Sequence, residues 1–531
     1  MSNSNTSGQD HLPEQWKTAL ERDRSQAALY ADPAPERRAG RMLAAFVLTG
    51  LCFLALPGTL LGVWNLISIA QQHSTSAASV SWIQAHGQAQ LFGWVGTFIL
   101  GISMYVLPKI QKRSLKTFGT AWAVWALWTV GVAGRWWVGV SPHGWRVPLV
   151  LSGLLELAAF VLAIYVLVSG KSESSKEKTP RRKPSDLGSW LGIFGFASLG
   201  LALLVNLKIT WSLAESAPLP VYPPVADRSF LLIALWGFTV PVAWGYSTRF
   251  VTVFLGLEQP VHRAALGLCA AITATVVCAL ARQFLLADLL ALILTGVAIW
   301  ALRVFRPSAR PPKLLAVYRR YPAFVRIAYG WLVVGAIVGL TADILPTQTG
   351  LGGASRHAVT VGFLATLIFA IGPRILPAFL NGRQLYSSRL MAASLWVLNF
   401  GCLLRVSSEA IAYSMGGRAW AVLPVSALLE LTAVVVFVVN LGMTLKQPMP
   451  AWFGPEGVNA KLPLYWYVTS FPKTRPILIH SGLKTLARAK ALPRSLSLGD
   501  AMAADGASVE RVLAELRAFF SRIQPRRAGR V

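Results

Sequence analysis

The stretch HGQAQLFGWVGTFILGISMYVLP, residues 86–108, runs for 23 residues with no charged side chain after its leading histidine. A helix rises 1.5 Å per residue, so such a stretch crosses the roughly 30 Å of hydrocarbon in a bilayer. Equivalent apolar runs recur along the chain. They predict spans at 42–69, 86–108, 118–140, 147–169, 188–211 and 229–254, then at 262–281, 284–303, 323–345, 357–379, 390–413 and 419–444. Of the 531 residues 54% are hydrophobic and only 14% charged, against about 25% charged in an average soluble chain. The composition excludes a soluble globular enzyme. The expected fold is an all-α, polytopic membrane protein of twelve transmembrane helices.

Charge in the loops gives the orientation, because Lys and Arg accumulate in short cytoplasmic loops. With the flanking Arg263 and Arg303 counted, the loops after even-numbered spans hold 19 basic residues against five in the loops after odd-numbered ones. Both termini are therefore expected inside, on the cytoplasmic face of the membrane. Residues 1–41 read as a polar cytoplasmic arm and not as a cleavable signal peptide. The net charge of +28 then becomes an orientation code and a lipid contact, not a nucleic-acid footprint.

The chain repeats itself. SGLLELAAFVLA at 152–163 returns as SALLELTAVVVF at 426–437, and HGQAQLFGW from residue 86 returns as HAVTVGF from residue 357. In the middle, ALWGFTVPVAWGYSTRF (234–250) echoes the Gly-aromatic pattern without a histidine. Three four-helix units are the simplest account, and repeated units in membrane proteins tend to place a site where they meet.

Location sorts the seven histidines. His11 and His480 lie on the arm and the tail, His73 and His143 in outer loops, and His262 at the inner mouth of the seventh span. Only His86 and His357 open strongly apolar spans, and from each to the proline of the following Leu-Pro is 22 and 20 residues. Their depths agree within about 3 Å. Ionisable groups inside a membrane are costly and mark functional sites, and neutral imidazole is a common metal ligand. Two imidazoles at one level on parallel helices suit the two axial positions of an iron porphyrin. A lone interfacial histidine bonded to a carbonyl is the bland alternative, which the matched depth and the repeat argue against.

The 86–108 stretch, the RHAVTVGF opening of the tenth span and the three four-helix units resemble the NnrS-type membrane haem proteins linked to nitric oxide response. More distantly they resemble the catalytic subunit of haem–copper oxidases. In the oxidases the second and tenth helices supply both axial histidines of the low-spin haem near the outer face. The resemblance, which covers about residues 42–445, thus implies a b-type haem held by His86 and His357, with NO or a redox protein as partner. The sequence departs from both families. NnrS-type proteins often carry His-x-His at the start of the second helix, where this chain has Gln88. The oxidases carry copper-binding histidines on helices six and seven, where this chain has only His262. These departures argue against a copper centre and against oxygen reduction.

Charges inside the spans form a second set. Arg135 and Arg405 lie on spans 3 and 11, Glu156 and Glu430 on the next spans of the same repeats, and Glu409 one turn from Arg405. A lone charge at mid-membrane is costly, so pairing is the default. Arg135 and Arg405 are candidate holders of haem propionates, or partners of those glutamates in plain helix-fixing pairs. Arg249, Arg374 and Asp343 belong to the same polar interior or to its interfaces. The 20 tryptophans read mainly as interfacial belts. Cys52, Cys269, Cys278 and Cys402 are scattered without CxxC spacing and read as core filling.

Beyond the spans, 446–469 reads as a linker and 470–531 as a small helical cytoplasmic domain. Residues 446–531 carry 14 basic and five acidic side chains. SVERVLAELRAFF (508–520) has helical periodicity with Ser508 as N-cap, although Arg511 breaks the capping box. Residues 474–520 resemble a small helical domain of unknown function found beside hybrid-cluster and iron–sulfur repair proteins. Members with a Cys pair occur there, and this tail has none, so a module that docks a protein partner fits better than a redox one. Against the haem-binding reading stand a secondary transporter, for which twelve spans and repeats are common, and a non-catalytic membrane scaffold for the tail.

Overall fold

The computed structural model describes residues 13–16, 18, 33–110, 118–141, 143–169, 186–314, 317–379, 385–446, 458–471, 473–489, 492–493 and 496–523. The basic clusters at 111–117 and 170–185, most of the N-terminal arm and residues 447–457 of the expected linker lie outside these. Among the described residues all elements are helical, apart from one isolated β-bridge between Pro463 and Ser497.

Eleven helices are long and apolar enough to cross a membrane: Arg38–Gln72, Val80–Pro108, Arg146–Val168, Leu187–Ser216, Pro224–Leu255, His262–Leu280, Phe284–Leu302, Tyr321–Ile344, Leu351–Pro377, Ser388–Met415 and Ala419–Lys446. The remaining expected span, Phe118–Val140, is one continuous helix of 23 residues. It falls outside that group because five tryptophans and Arg135 lower its hydropathy. It nevertheless packs along the fourth span and against the second, so it stands in the bundle as the third span.

Burial separates an inner from an outer set. In the second, sixth and tenth spans 89%, 83% and 72% of the most apolar stretch is buried in protein, against 33–50% in the other eight. Outer spans turn large apolar side chains such as Val147 and Leu266 outward, each about three-quarters exposed. That is the pattern of helices solvated by lipid tails rather than water. Contacts between the fourth and fifth, eighth and ninth, and twelfth and first spans close the ring around the three inner helices. Each inner helix is the second of its four-helix unit, so the repeat read in the sequence is the geometry of the bundle.

Each inner helix also carries a π-helical segment: Ala89–Gly96, Ile233–Thr239 and Ala358–Ala365. All three contain the Gly-aromatic pair of the sequence echo: Gly93-Trp94, Gly237-Phe238 and Gly362-Phe363. A π-turn adds one residue to the helix, rotates the face presented beyond it and leaves carbonyls less well satisfied. At Gly93 the helix meets the Phe53 ring so closely that a Cβ would stand 2.7 Å from the ring carbon. The first span has a fourth such segment, Leu54–Leu60, centred on Pro57, whose ring removes a donor from the ladder.

Outside the membrane bundle a second apolar cluster joins Tyr467, Leu478, Leu486, Met502, Leu516 and Phe520. The linker expected up to residue 469 ends earlier, because Val458, Leu464 and Val468 are buried in this cluster. Trp16 of the arm is fully buried there too, so the arm is not simply a solvated extension. The final helix, Val509–Ile523, starts as the sequence predicts, with the Arg511 amide donating to Ser508 Oγ at 3.5 Å. Burial pushes the Tyr467 phenol up from its ordinary value.

Candidate cofactor cavity

His86 and His357 line one cavity of about 480 Å³, together with Arg135 and Arg405. The four site residues singled out in the sequence are thus gathered by folding, although they come from spans 2, 10, 3 and 11. The volume falls in the ~300–1,000 Å³ range of small-molecule and cofactor sites. Its walls are largely apolar and aromatic, with Phe92, Trp94 and Phe369 among them.

The two histidines are oriented in the same way. His86 Nδ1 lies 2.9 Å from the Gly58 carbonyl oxygen, one of the carbonyls in the π-helical segment around Pro57. His357 Nδ1 lies 2.9 Å from the Gly353 carbonyl oxygen, one turn back on its own helix. A carbonyl only accepts, so in each ring Nδ1 carries the proton and Nε2 keeps a lone pair. That is the tautomer a metal-binding imidazole needs. Gly62 sets the position of His86: a Cβ there would stand 2.6 Å from the ring Cε1. A carboxylate completes the second ring's surroundings, since Glu409 Oε2 is 3.1 Å from His357 Nδ1 and 3.4 Å from Arg405 Nη2.

The glutamates of the following spans take up neither arginine, whereas Arg405 pairs with Glu409 on its own helix. Glu156, fully buried, accepts from Gln88 Nε2 at 2.9 Å and from Asn206 Nδ2 at 3.2 Å. Arg135 lies instead over the Tyr222 ring, 4.5 Å from its centroid. Arg405 approaches Glu409 and not Glu430, whose Oε1 is buried without a hydrogen-bond partner. One terminal nitrogen of each arginine, Nη1, is likewise buried without a partner. A buried guanidinium nitrogen left unpaired costs free energy, so this cavity offers two unmet donors to an anionic ligand.

Several contributors carry no signal in the sequence. Tyr222 donates to Asn206 Oδ1, and its backbone amide and carbonyl are bracketed by the Gln84 side chain at 2.9 and 3.1 Å. Burial pushes this phenol up to about 12, so it remains a donor at neutral pH. Asp227, Arg356 and Tyr413 also line the cavity. A lone Asn inside the fifth span, Asn206, is the single hint of this network.

Other residues of the polar set lie elsewhere. Arg249 pairs with Asp186 at 2.8 Å, Arg374 stands 5.5 Å over the Phe254 ring, and Asp343 and Asp288 share Arg228. His262 Nδ1 accepts from the Leu187 amide at 3.2 Å and caps the fifth span. His73 stacks on Trp420 with centroids 5.6 Å apart, and His143 sits in a turn at the end of the third span. Among the described residues, no group of three or more His, Cys, Asp and Glu is placed to hold a metal ion.

Comparisons with known proteins bear on the fold and the family. No curated protein matches the chain. Among solved structures, the cryo-electron-microscopy structure of a haem–copper terminal oxidase dimer is similar, with a TM-score of 0.60 at 12% identity over 91% of this chain and 99% of that one. At that identity the likeness is one of fold. Residues 43–448 match a family model described as NnrS protein. That match takes in the whole membrane bundle and every residue that lines the cavity, and the chain belongs to the NnrS family.

Proposed function

We propose that this protein binds one b-type haem in the cavity, which His86 and His357 would hold through Nε2, and serves in nitric oxide or nitrosative-stress response or in electron transfer. The observation that carries the reading is the pair of imidazoles with matched tautomers at equivalent positions of a repeat. The cavity fits the group in two further ways: its aromatic walls suit a planar macrocycle, and the unmet Nη1 atoms of Arg135 and Arg405 suit two propionates. When bound, haem supplies a one-electron iron couple. The chain's own residues do the rest. Gly58 and Gly353 hold both rings in the ligating tautomer, Glu409 helps to fix the His357 ring, and Arg135 and Arg405 neutralise carboxylates. The apolar and aromatic part of the wall favours the less charged state of the site.

With two protein ligands on the iron, the reading favours electron transfer over substrate binding. Gln88 donates its amide to Glu156 and is spent as a structural group, which supports a site without copper. We place the protein in the bacterial cytoplasmic membrane with both termini inside, where the tail can meet a cytoplasmic partner. Protein purified in detergent from haem-replete cells should contain about one iron and no copper per chain, with a bis-imidazole absorption spectrum. A colourless preparation that takes up a solute after reconstitution would favour the transporter instead.

A further inference from the structure

We propose that Tyr222 is the positioning residue for Arg135: its ring holds the guanidinium at the cavity and leaves the positive charge free for an anionic group of the bound ligand. Arg135 is buried in the third span, with its Cζ 4.5 Å from the centroid of the Tyr222 ring. A guanidinium within about 6 Å of an aromatic centroid is drawn to the ring face. A ring fixes the group without neutralising it, whereas a carboxylate does both. The carboxylate of the following span, Glu156, is spent on Gln88 and Asn206. Arg405 gives the contrast, since Glu409 lies 3.4 Å from its Nη2. Arg135 Nη1 is buried without a hydrogen-bond partner, so the held group keeps a donor to offer.

A ring can position a charge only if it is itself fixed. Tyr222 lies in the loop between the fifth and sixth spans, where Pro218, Pro220 and Pro223 restrict the backbone. Its amide donates to Gln84 Oε1 at 2.9 Å, and its carbonyl accepts from Gln84 Nε2 at 3.1 Å. Its hydroxyl donates to Asn206 Oδ1, and its ring stands edge-on to Phe230 with centroids 6.0 Å apart. Gln84 precedes His86 by two residues, so one tyrosine ties Arg135 to the fifth span and to the start of the second. The middle unit, whose inner helix has no histidine, thereby supplies a part of the site. The effect on haem carboxylates rests on the function proposed above, whereas the hold of Tyr222 on Arg135 does not.

Two readouts on the full-length protein as purified test this. The first is the rate at which the arginine-selective dicarbonyl phenylglyoxal modifies Arg135, mapped by mass spectrometry. It should rise about fivefold or more in Tyr222→Leu and stay within about twofold in Tyr222→Phe, which keeps the ring. The second is the haem reduction potential, which a nearby positive charge raises. It should fall in Tyr222→Leu, hold in Tyr222→Phe, and move no further when Tyr222→Leu is added to Arg135→Gln, because residues that act through one another are not additive. Equal modification rates in wild type and Tyr222→Leu would overturn the proposal, and so would an equal shift in potential with and without Arg135. If Tyr222→Leu does not accumulate, Gln84→Leu, which frees the Tyr222 backbone, must raise the modification rate about threefold or the proposal fails. A wild type that holds no haem overturns the function above and leaves the modification rates to decide this proposal.

Discussion

At the scale of residues, the site depends on small groups that hold large ones. Gly62 has no functional group to offer, yet its missing Cβ is the space the His86 ring occupies. Gly62→Ala is therefore expected to displace the imidazole and to lower haem content, while Gly119→Ala, where a Cβ meets nothing within 4 Å, leaves it unchanged; pyridine haemochrome titration against protein concentration reads both. Glu409→Gln removes the negative charge beside His357. Outer partners of this kind are worth about 10–100-fold in metal affinity, so haem should dissociate about 10-fold faster or more, and its reduction potential should rise. Stopped-flow transfer to apomyoglobin and redox titration measure the two effects. His86 and His357 are legible in the sequence because each opens an apolar run and their spacing repeats. The Gln88–Glu156–Asn206 network is not, because it joins three spans whose neighbours only folding decides. Pairing of Arg135 with Glu156, one of the two alternatives open in the sequence, does not occur: Glu156 is left to two amides.

At the scale of elements, the π-helical segments do the positioning. In the second and tenth spans the segment begins three residues and one residue after the histidine. Each adds a residue and turns the later part of the helix toward the centre, so the histidine and the aromatic wall below it face one cavity. Removing that residue should undo the rotation: deletion of Ala89 is expected to leave a helix of normal hydrophobicity in the membrane but to abolish haem retention. Equal expression with unchanged circular dichroism, together with loss of the visible spectrum, would bear this out. Hydropathy cannot show a π-turn, since it adds length without changing composition. The Gly-aromatic echo of the middle unit is its only trace, and it reads as a repeat rather than as a change of helix type.

Across the whole molecule, the three-unit plan is plain in the sequence because repeats at fixed order leave few other arrangements. What periodicity cannot give is which helices stand inside. That comes from burial of the second, sixth and tenth spans, and it explains why the site residues lie on or beside them. The units are also tied by charge: Arg228 near the start of the sixth span holds Asp288 of the eighth and Asp343 of the ninth. Breaking a buried pair costs about 3–5 kcal/mol. Arg228 is 38% exposed, so solvent screens part of this and Arg228→Ala is expected to cost about 1–3 kcal/mol, seen as a lower melting temperature with an unaltered haem spectrum. The start of the tail domain is hidden in the sequence because Val458 and Leu464 lie in a Pro- and Gly-rich stretch whose apolar residues show no helical period.

The central claim is that two imidazoles of this chain share one iron. Electron paramagnetic resonance of the oxidised, full-length protein tests it most directly, in the wild type and in His86→Ala and His357→Ala. The account predicts a low-spin ferric signal of two imidazole ligands in the wild type, and its loss or conversion to a high-spin signal in each variant. A high-spin wild-type signal, or a low-spin one that survives in both variants, would contradict it.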